Sequence, residues 1–145
     1  MDLLQQRLPS EGFLRSVLDA TADCIKVVGP DGALQYMSAN GLCAMEIDDF
    51  SCVQGLQWAS LWPGETAGLV RQALAAAFSG RTTRFEAFCP TAKGKPKWWE
   101  VTVSPIRDAA GEVSSVLSVS REVTERKRAD EVLKESETRF RNLAD

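Results

Sequence analysis

Cysteine and tryptophan are the residues of this sequence with the most distinctive chemistry, and histidine is absent from it. Histidine is the commonest general base, a frequent metal ligand and the usual ligand of haem, so its absence argues against all three roles. The cysteines form no C-x-x-C pair, so we expect reduced thiols in apolar surroundings and no metal site. They are Cys24, Cys43, Cys52 and Cys89.

The motifs of common enzyme classes are also missing from the sequence. It has neither the G-x-x-x-x-G-K loop that binds phosphates nor the G-x-S-x-G turn that carries a nucleophilic serine. The adjacent acids Asp48 and Asp49 lie in a polar stretch, where carboxylates are usually solvated. We therefore predict that the chain is not an enzyme in itself and has no catalytic residues.

The length and composition of the chain indicate one domain of the soluble globular class. The chain has 145 residues, 44% of them hydrophobic and 26% charged, with a net charge of −3. The sequence has no stripe of basic residues, so we expect no nucleic-acid partner. The longest uncharged run, 50–64, is too short and too polar to span a bilayer, and the N-terminus lacks the pattern of a signal peptide. We expect a cytoplasmic location without direct membrane contact.

The first third of the chain predicts a helix followed by a hairpin. Ser10 precedes a stretch with helical apolar spacing that ends near Asp19. The β-branched segment 24–28 and the segment 33–38 read as strands, joined by the turn residues 29–32. Asn40 is expected to cap a short helix over 41–46.

The remainder predicts one more helix, three strands and a long exit helix. Residues 47–65 are irregular, and 66–79 have helical spacing. Strands are expected over 82–89, 98–106 and 113–119. In the second of these, Trp99, Val101 and Val103 share one face, and Trp98 lies on the other. The order predicts an α+β fold, in which helices gather on one face of a five-stranded antiparallel sheet.

The segment after residue 120 is rich in charges of both signs. Pairs such as Glu122/Arg126 and Glu135/Arg139 place the acid four residues before the base, which stabilises a helix. A seam at heptad spacing predicts that this helix packs against a partner. The seam consists of Ala129, Leu133, Ser136, Phe140 and Leu143.

Several strings of this sequence resemble the PAS family of sensory domains. Gly-Pro-Asp-Gly at 29–32, followed by Leu34-Gln35-Tyr36 and Asn40, resembles the opening hairpin and first helix of that family. The string 97–108 resembles its fourth strand, with Gly111 closing the next turn. The most specific match is 120–127, where the family commonly has Asp-Val-Thr followed by Glu-Arg-Lys. Here Glu122 replaces the aspartate.

The resemblance covers about 10–128 and implies three segments. Residues 1–9 would be an N-terminal cap helix, 10–123 the sensor domain, and 124–145 a C-terminal linker and signalling helix. The string 136–143 resembles the opening of a second PAS domain, so we expect an N-terminal fragment of a larger protein. Two interpretations of 136–145 stay open, namely a coiled coil and the first helix of that next domain.

In this family a small molecule is typically held between the inner sheet face and the middle helices. The resemblance therefore implies a set of ligand-binding candidates, which would serve equally well as ordinary core packing. They are Tyr36, Trp58, Trp62, Leu69, Phe85, Trp99, Val101 and Leu117. A small organic ligand, or none, is favoured. Non-covalent FAD is the alternative, haem is disfavoured, and the reactive-cysteine motif of light-oxygen-voltage domains is absent.

The resemblance also implies residues for transmission and assembly. Glu122, Val123 and Thr124 would link the last strand to the exit helix and pass on a ligand-induced movement. A homodimer is expected, because the outer sheet face of this family is often covered by the N-terminal helix or by a second protomer. The interface candidates are Leu3, Leu4, Leu8, Trp98 and Leu133.

Together these observations predict a signal-sensing module that binds a ligand, dimerises, or does both. Its output would pass through the C-terminal helix to an effector in the same parent chain, a histidine kinase of a two-component system or a cyclic-dinucleotide enzyme. The alternatives are a PAS module used only for dimerisation and an FAD-binding redox sensor.

Overall fold

The computed structural model describes residues 11–144, which form one antiparallel five-stranded sheet and the helices around it. The order of the strands across the sheet is β2-β1-β5-β4-β3. The strands are β1 (Cys24–Val28), β2 (Leu34–Met37), β3 (Thr83–Phe88), β4 (Trp98–Arg107) and β5 (Val113–Glu122). The helices are α1 (Glu11–Ala20), α2 (Ala39–Ala44), α3 (Thr66–Phe78) and α4 (Thr124–Ala144), with short 3-10 helices at Phe50–Cys52 and Trp58–Leu61.

The α+β fold predicted from the sequence is confirmed, with small shifts at the ends of elements. The start of α2 differs from the prediction, because Ser38 and not Asn40 is its N-cap. The Ser38 hydroxyl accepts hydrogen bonds from the backbone of Gly41 at 3.2 Å and of Ile25 at 3.1 Å. Asn40 lies within α2 and donates its side-chain amide to the Thr21 carbonyl. One serine therefore joins α2 to β1.

Alternation along β4 separates an inner from an outer face of the sheet. Trp99, Val101 and Val103 are buried, whereas Trp98 and Thr102 on the other side are half-buried. The predicted assignment of these faces is therefore correct. We call the side that carries Trp99 the inner face.

Helix α3 covers part of the inner face with one apolar side. Its buried positions include Val70, Ala73 and Ala77, whose small side chains allow the helix to lie close to the sheet. Leu69 points away from the sheet and is 47% exposed. The core is therefore built from valine and tryptophan of the sheet, alanine of α3 and Trp58 of the second 3-10 helix.

The two halves of the sheet meet at β5, which lies between β1 and β4. In the register with β1, Cys24 lies opposite Ser120 and Lys26 opposite Ser118. Directly opposed residues of neighbouring strands share a face, so these four residues form a polar block in the middle of the inner face.

The predicted N-terminal cap helix over 1–9, with Leu3, Leu4 and Leu8, lies outside the described residues. Within 11–144, no helix combines the length and the apolar character that crossing a bilayer requires.

We expect Trp99→Ala to lower the free energy of unfolding by about 3–5 kcal/mol, because it removes a large side chain from a close-packed core. Trp98→Ala is the matched control from the outer face and should cost less. Urea denaturation followed by far-ultraviolet circular dichroism measures both. The reverse order of the two losses would contradict the assignment of faces.

Candidate functional site

An internal cavity of about 40 Å³ lies between the inner sheet face and the segment that contains the 3-10 helices. Strands β1, β2, β4 and β5 contribute to its wall, and so do the end of α2 and the residue after β3. Most of the wall is apolar. The lining residues are Lys26, Leu34, Met37, Met45, Ile47, Val53, Trp58, Leu61, Trp62, Cys89, Trp99 and Ser120.

The tryptophans of the wall are held rigidly. The rings of Trp58 and Trp62 pack edge to face with centroids 6.1 Å apart, and Phe85 packs on Trp62 at the same distance. The indole N–H of Trp99 donates to the Cys89 carbonyl at 3.1 Å. The aromatic surface is therefore set by packing and by a buried hydrogen bond.

The structure brings only part of the predicted ligand-binding set to the cavity. Trp58, Trp62 and Trp99 line it, and their role in binding a ligand stays a prediction. Phe85 and Val101 belong to the same core, but they lie outside the cavity wall.

The predicted core positions of Tyr36, Leu117 and Leu69 need correction. Tyr36 and Leu117 lie opposite Val27 in the register, on the two sides of β1. Val27 alternates with the inward-facing Lys26 and Val28, so these three residues share the outer face. Leu69 lies on the solvent side of α3.

Reasoning from the sequence missed the polar residues of the wall, Lys26, Ser120 and Cys89. A signal was present in Cys24-Ile-Lys-Val-Val28, where strand alternation places lysine on the same face as Cys24 and Val28. The neighbouring strands and helices decide which face of β1 is buried. Alternation within one strand does not show this.

Cys89 is a buried thiol within this wall. Burial raises its pKa above the ordinary value of 9.0, while the positive charge of Lys26 acts in the opposite direction. Its sulfur lies 3.7 Å from the Leu61 carbonyl oxygen and 3.6 Å from that of Pro90. Both observations favour the protonated thiol, which is a poor nucleophile.

A second polar cluster joins the cavity region to the exit helix. Lys97, just before β4, is buried, and its ammonium donates to the Ala44 carbonyl at 2.7 Å and pairs with the Glu122 carboxylate at 3.1 Å. It also lies 5.8 Å from the centroid of the Trp99 ring. One side chain thus contacts the end of α2, the cavity tryptophan and the last residue of β5.

The residues predicted to transmit a signal lie at this junction. The backbone of Trp98 makes two hydrogen bonds with the segment after β5. Its N–H donates to the Thr124 side-chain hydroxyl at 3.0 Å, and its carbonyl accepts from the Val123 N–H at 2.8 Å. Val123 and Thr124 are both buried. The first turn of α4 is therefore bound to the first residue of β4, and the proposed role in transmission is compatible with these contacts.

The predicted interface residues have different surroundings. Trp98 lies on the outer face, where Phe88 packs on it edge to face at 5.7 Å and the Lys127 ammonium lies 4.9 Å from its ring centroid. The chain thus covers part of this ring itself. Leu133 on α4 is exposed. Their part in a dimer stays a prediction.

The family of the chain follows from a match along most of the fold. The sequence profile of the family described as the PAS fold matches residues 18–128. The chain belongs to the PAS family. A search of curated protein sequences finds no match.

Solved structures with this fold are similar to the PAS domain described here. An RNA-binding light-oxygen-voltage receptor has a TM-score of 0.75 and 22% identity over 91% of this chain, which spans 39% of that receptor. A sensory box histidine kinase/response regulator from Burkholderia thailandensis has a TM-score of 0.65 and 20% identity, covering 89% of this chain and 98% of the other. A light-oxygen-voltage domain studied with a flavin analogue has a TM-score of 0.66 and 21% identity, covering 90% and 97%.

The cavity of this PAS domain does not fit a flavin in the conformation described. A volume of about 40 Å³ is far less than a three-ring isoalloxazine requires. The string 40–45, Asn-Gly-Leu-Cys-Ala-Met, also lacks the reactive-cysteine motif, and Cys43 is exposed.

We expect iodoacetamide to modify the exposed Cys43 and Cys52 well before Cys89 in the native protein, because Cys89 is buried and its pKa is raised. The same raised pKa predicts that the stability contributed by this thiol is present below pH 9.0 and is lost as the pH rises further. Peptide mass spectrometry of timed samples measures the modification. Equal rates for Cys89 and Cys43 would contradict this environment.

Proposed function

We propose that this PAS domain is the input module of a signalling protein and that it senses a small molecule in the cavity. The single observation that carries the proposal is the position of β5. Its residue Ser120 lines the cavity, and its last residue, Glu122, which lies two residues before α4, pairs with Lys97 just before β4. A ligand that moves the inner face of β5 thereby acts on the junction.

The junction supports transmission because its contacts join the starts of β4 and α4 to the end of β5. A change in the relative position of β4 and β5 alters the Lys97–Glu122 pair and the bond from Trp98 to Thr124 together. Helix α4 then changes its angle to the sheet. A ligand shifts this equilibrium by its difference in affinity for the two arrangements.

The effector is proposed to follow α4 in the parent chain. A histidine kinase is our first choice, and the similarity to a sensory box histidine kinase supports it through the fold alone. A cyclic-dinucleotide enzyme is the other effector class compatible with such an input.

A second candidate function is assembly without a ligand. It is favoured by Val132, Leu133 and Phe140, which are exposed apolar residues of α4. The spacing of Leu133 and Phe140 is one heptad, which suits a coiled coil with a second copy. Sensing and assembly are compatible, because a parallel pair of exit helices would carry the movement of both domains.

An absorption spectrum of the purified 145-residue chain, with mass spectrometry of what it releases on denaturation, tests the proposed function. We expect a colourless protein that releases a small organic molecule, or that gains thermal stability from one in a metabolite panel. A flavin spectrum would support the redox-sensor alternative. Neither release nor stabilisation, together with a dimer in sedimentation velocity, would replace sensing by assembly.

Thr124→Val tests the junction, because it keeps the shape of the side chain and removes the acceptor of the Trp98 N–H. We expect the free energy of unfolding to fall by about 1–3 kcal/mol, the cost of an unsatisfied buried donor. Hydrogen exchange should become faster at Trp98 and at the start of α4, and the parent protein should lose its response. Thr102→Val on the outer face is the control. Unchanged exchange and response in Thr124→Val would refute the role of this bond.

A further inference from the structure

The polar block in the middle of the inner face lacks the hydrogen-bond and ion-pair partners that buried polar side chains normally have. It consists of Cys24, Lys26, Ser118 and Ser120, paired across β1 and β5. All four are buried, and the positions directly opposite them on β2 and β4, Met37, Val101 and Val103, are apolar. Buried polar groups normally have hydrogen-bond partners, since desolvation without one costs free energy.

Lys26 is the exceptional member of this block. It is 6% exposed, and among residues 11–144 it forms no ion pair. Its ammonium lies 3.0 Å from the Cys24 sulfur and 6.0 Å from the centroid of the Trp58 ring. A thiol is a weak acceptor, and an aromatic ring offers only part of what a counterion supplies.

Lys97 shows what this chain does with a buried lysine that has a structural role. It is about as buried as Lys26, at 8%, and it has both a carboxylate and a carbonyl within hydrogen-bond distance. Lys26 has neither kind of partner in the part of the chain that the structure describes. Leaving one buried charge without a partner is costly, so the position points to a partner from outside the chain.

The serines of the block supply further donors. The hydroxyl oxygens of Ser118 and Ser120 are buried and have no hydrogen-bond partner within the described range. Ser120 and Lys26 both line the cavity, and Ser118 lies directly across from Lys26. An ammonium and neighbouring hydroxyls together favour a ligand atom that accepts hydrogen bonds and carries negative charge.

The other residues of the cavity wall restrict the charge, polarity and size of the ligand. No aspartate or glutamate is among the described residues that line the cavity, so nothing repels an anion there. Leu34, Met37 and the tryptophans favour an apolar tail, and a volume of about 40 Å³ keeps that tail short. Inorganic anions such as phosphate are strongly hydrated and would leave these apolar surfaces without contacts.

We propose that the cavity is a binding site for a small monocarboxylate, whose carboxylate pairs with Lys26 and accepts a hydrogen bond from Ser120. The short apolar tail lies against Trp58 and Trp99. The ligand thereby bridges β1 and β5 two residues before Glu122. This inference rests on the proposed sensing function and specifies its ligand class.

Nuclear magnetic resonance of the isotope-labelled 145-residue chain tests the site. Acetate, propionate and pyruvate are titrated at constant ionic strength, each beside its neutral amide and beside sodium chloride. We expect saturable shifts at Lys26, Ser120 and the indole N–H groups of Trp58 and Trp99 with at least one carboxylate. The amides and chloride should leave these signals unchanged.

Lys26→Met is the decisive variant, because methionine keeps the length and removes the charge. We expect affinity for the carboxylate to fall by about tenfold or more, while the melting temperature without ligand stays equal or rises. Lys95→Met, at an exposed lysine, changes the net charge equally and should bind as the unmodified chain does. Ser120→Ala, which also keeps the fold, should weaken binding by about threefold to tenfold.

Three results would overturn the carboxylate site: no saturable shift with any carboxylate, equal shifts with the amides, or unchanged affinity in Lys26→Met. Mass spectrometry of the released molecules separates this failure from that of the sensing function. A neutral or cationic molecule released by the chain would keep sensing and reject the anion. If the chain neither releases nor binds a ligand of any class, both the carboxylate site and the sensing function are rejected.

Discussion

The place of β5 between β1 and β4 is the constraint on which the rest of this PAS domain depends. Its hydrogen bonds run along both edges, so neither half of the sheet can shift without it. Residues of a strand are spaced by about 3.3 Å, so the cavity wall at Ser120 and the junction at Glu122 are about 7 Å apart along one strand. One strand therefore joins the cavity wall to the start of the exit helix, without a long chain of intermediate contacts.

Two buried lysines on the inner side of the molecule have different surroundings. Lys97 is compensated by Glu122 and the Ala44 carbonyl, and it holds α2 and β5 to the start of β4. Lys26 lies among tryptophans with only a thiol beside it. The first lysine stabilises the arrangement of the junction that the structure shows, whereas the second has no carboxylate or carbonyl partner among the described residues.

Electrostatics also anchors the first turns of α4 to the outer face. Glu86 and Glu100 lie directly opposite each other on β3 and β4, which alone would be unfavourable. Arg126 pairs with both, and Lys127 with Glu86, so the helix supplies the charges that the sheet edge lacks. Further along α4, Phe140 is 76% exposed. The helix is thus fixed at its start and presents apolar side chains beyond it.

The sequence by itself determined the kind and order of the elements within 11–144 and the faces of β4. Turn residues, strand alternation and helical spacing are local properties, and they act within a few neighbouring residues. The change from β5 to the exit helix after residue 120 was predictable for the same reason. The alternating apolar residues of a strand are followed there by charged residues at helical spacing.

Only the tertiary structure decided which residues meet at the cavity. Tyr36 and Leu117 are apolar and lie in strands, yet the register with Val27 places them on the outer face. Lys26 carries a charge, yet its side of β1 is the one that Trp58 covers. Lys97 and Glu122 lie 25 positions apart in the numbering and meet because β4 and β5 pair antiparallel. The face on which a strand residue lies, and the residue with which it pairs, depend on which strands become neighbours and on which side of the sheet the helices pack. Both are properties of the whole chain.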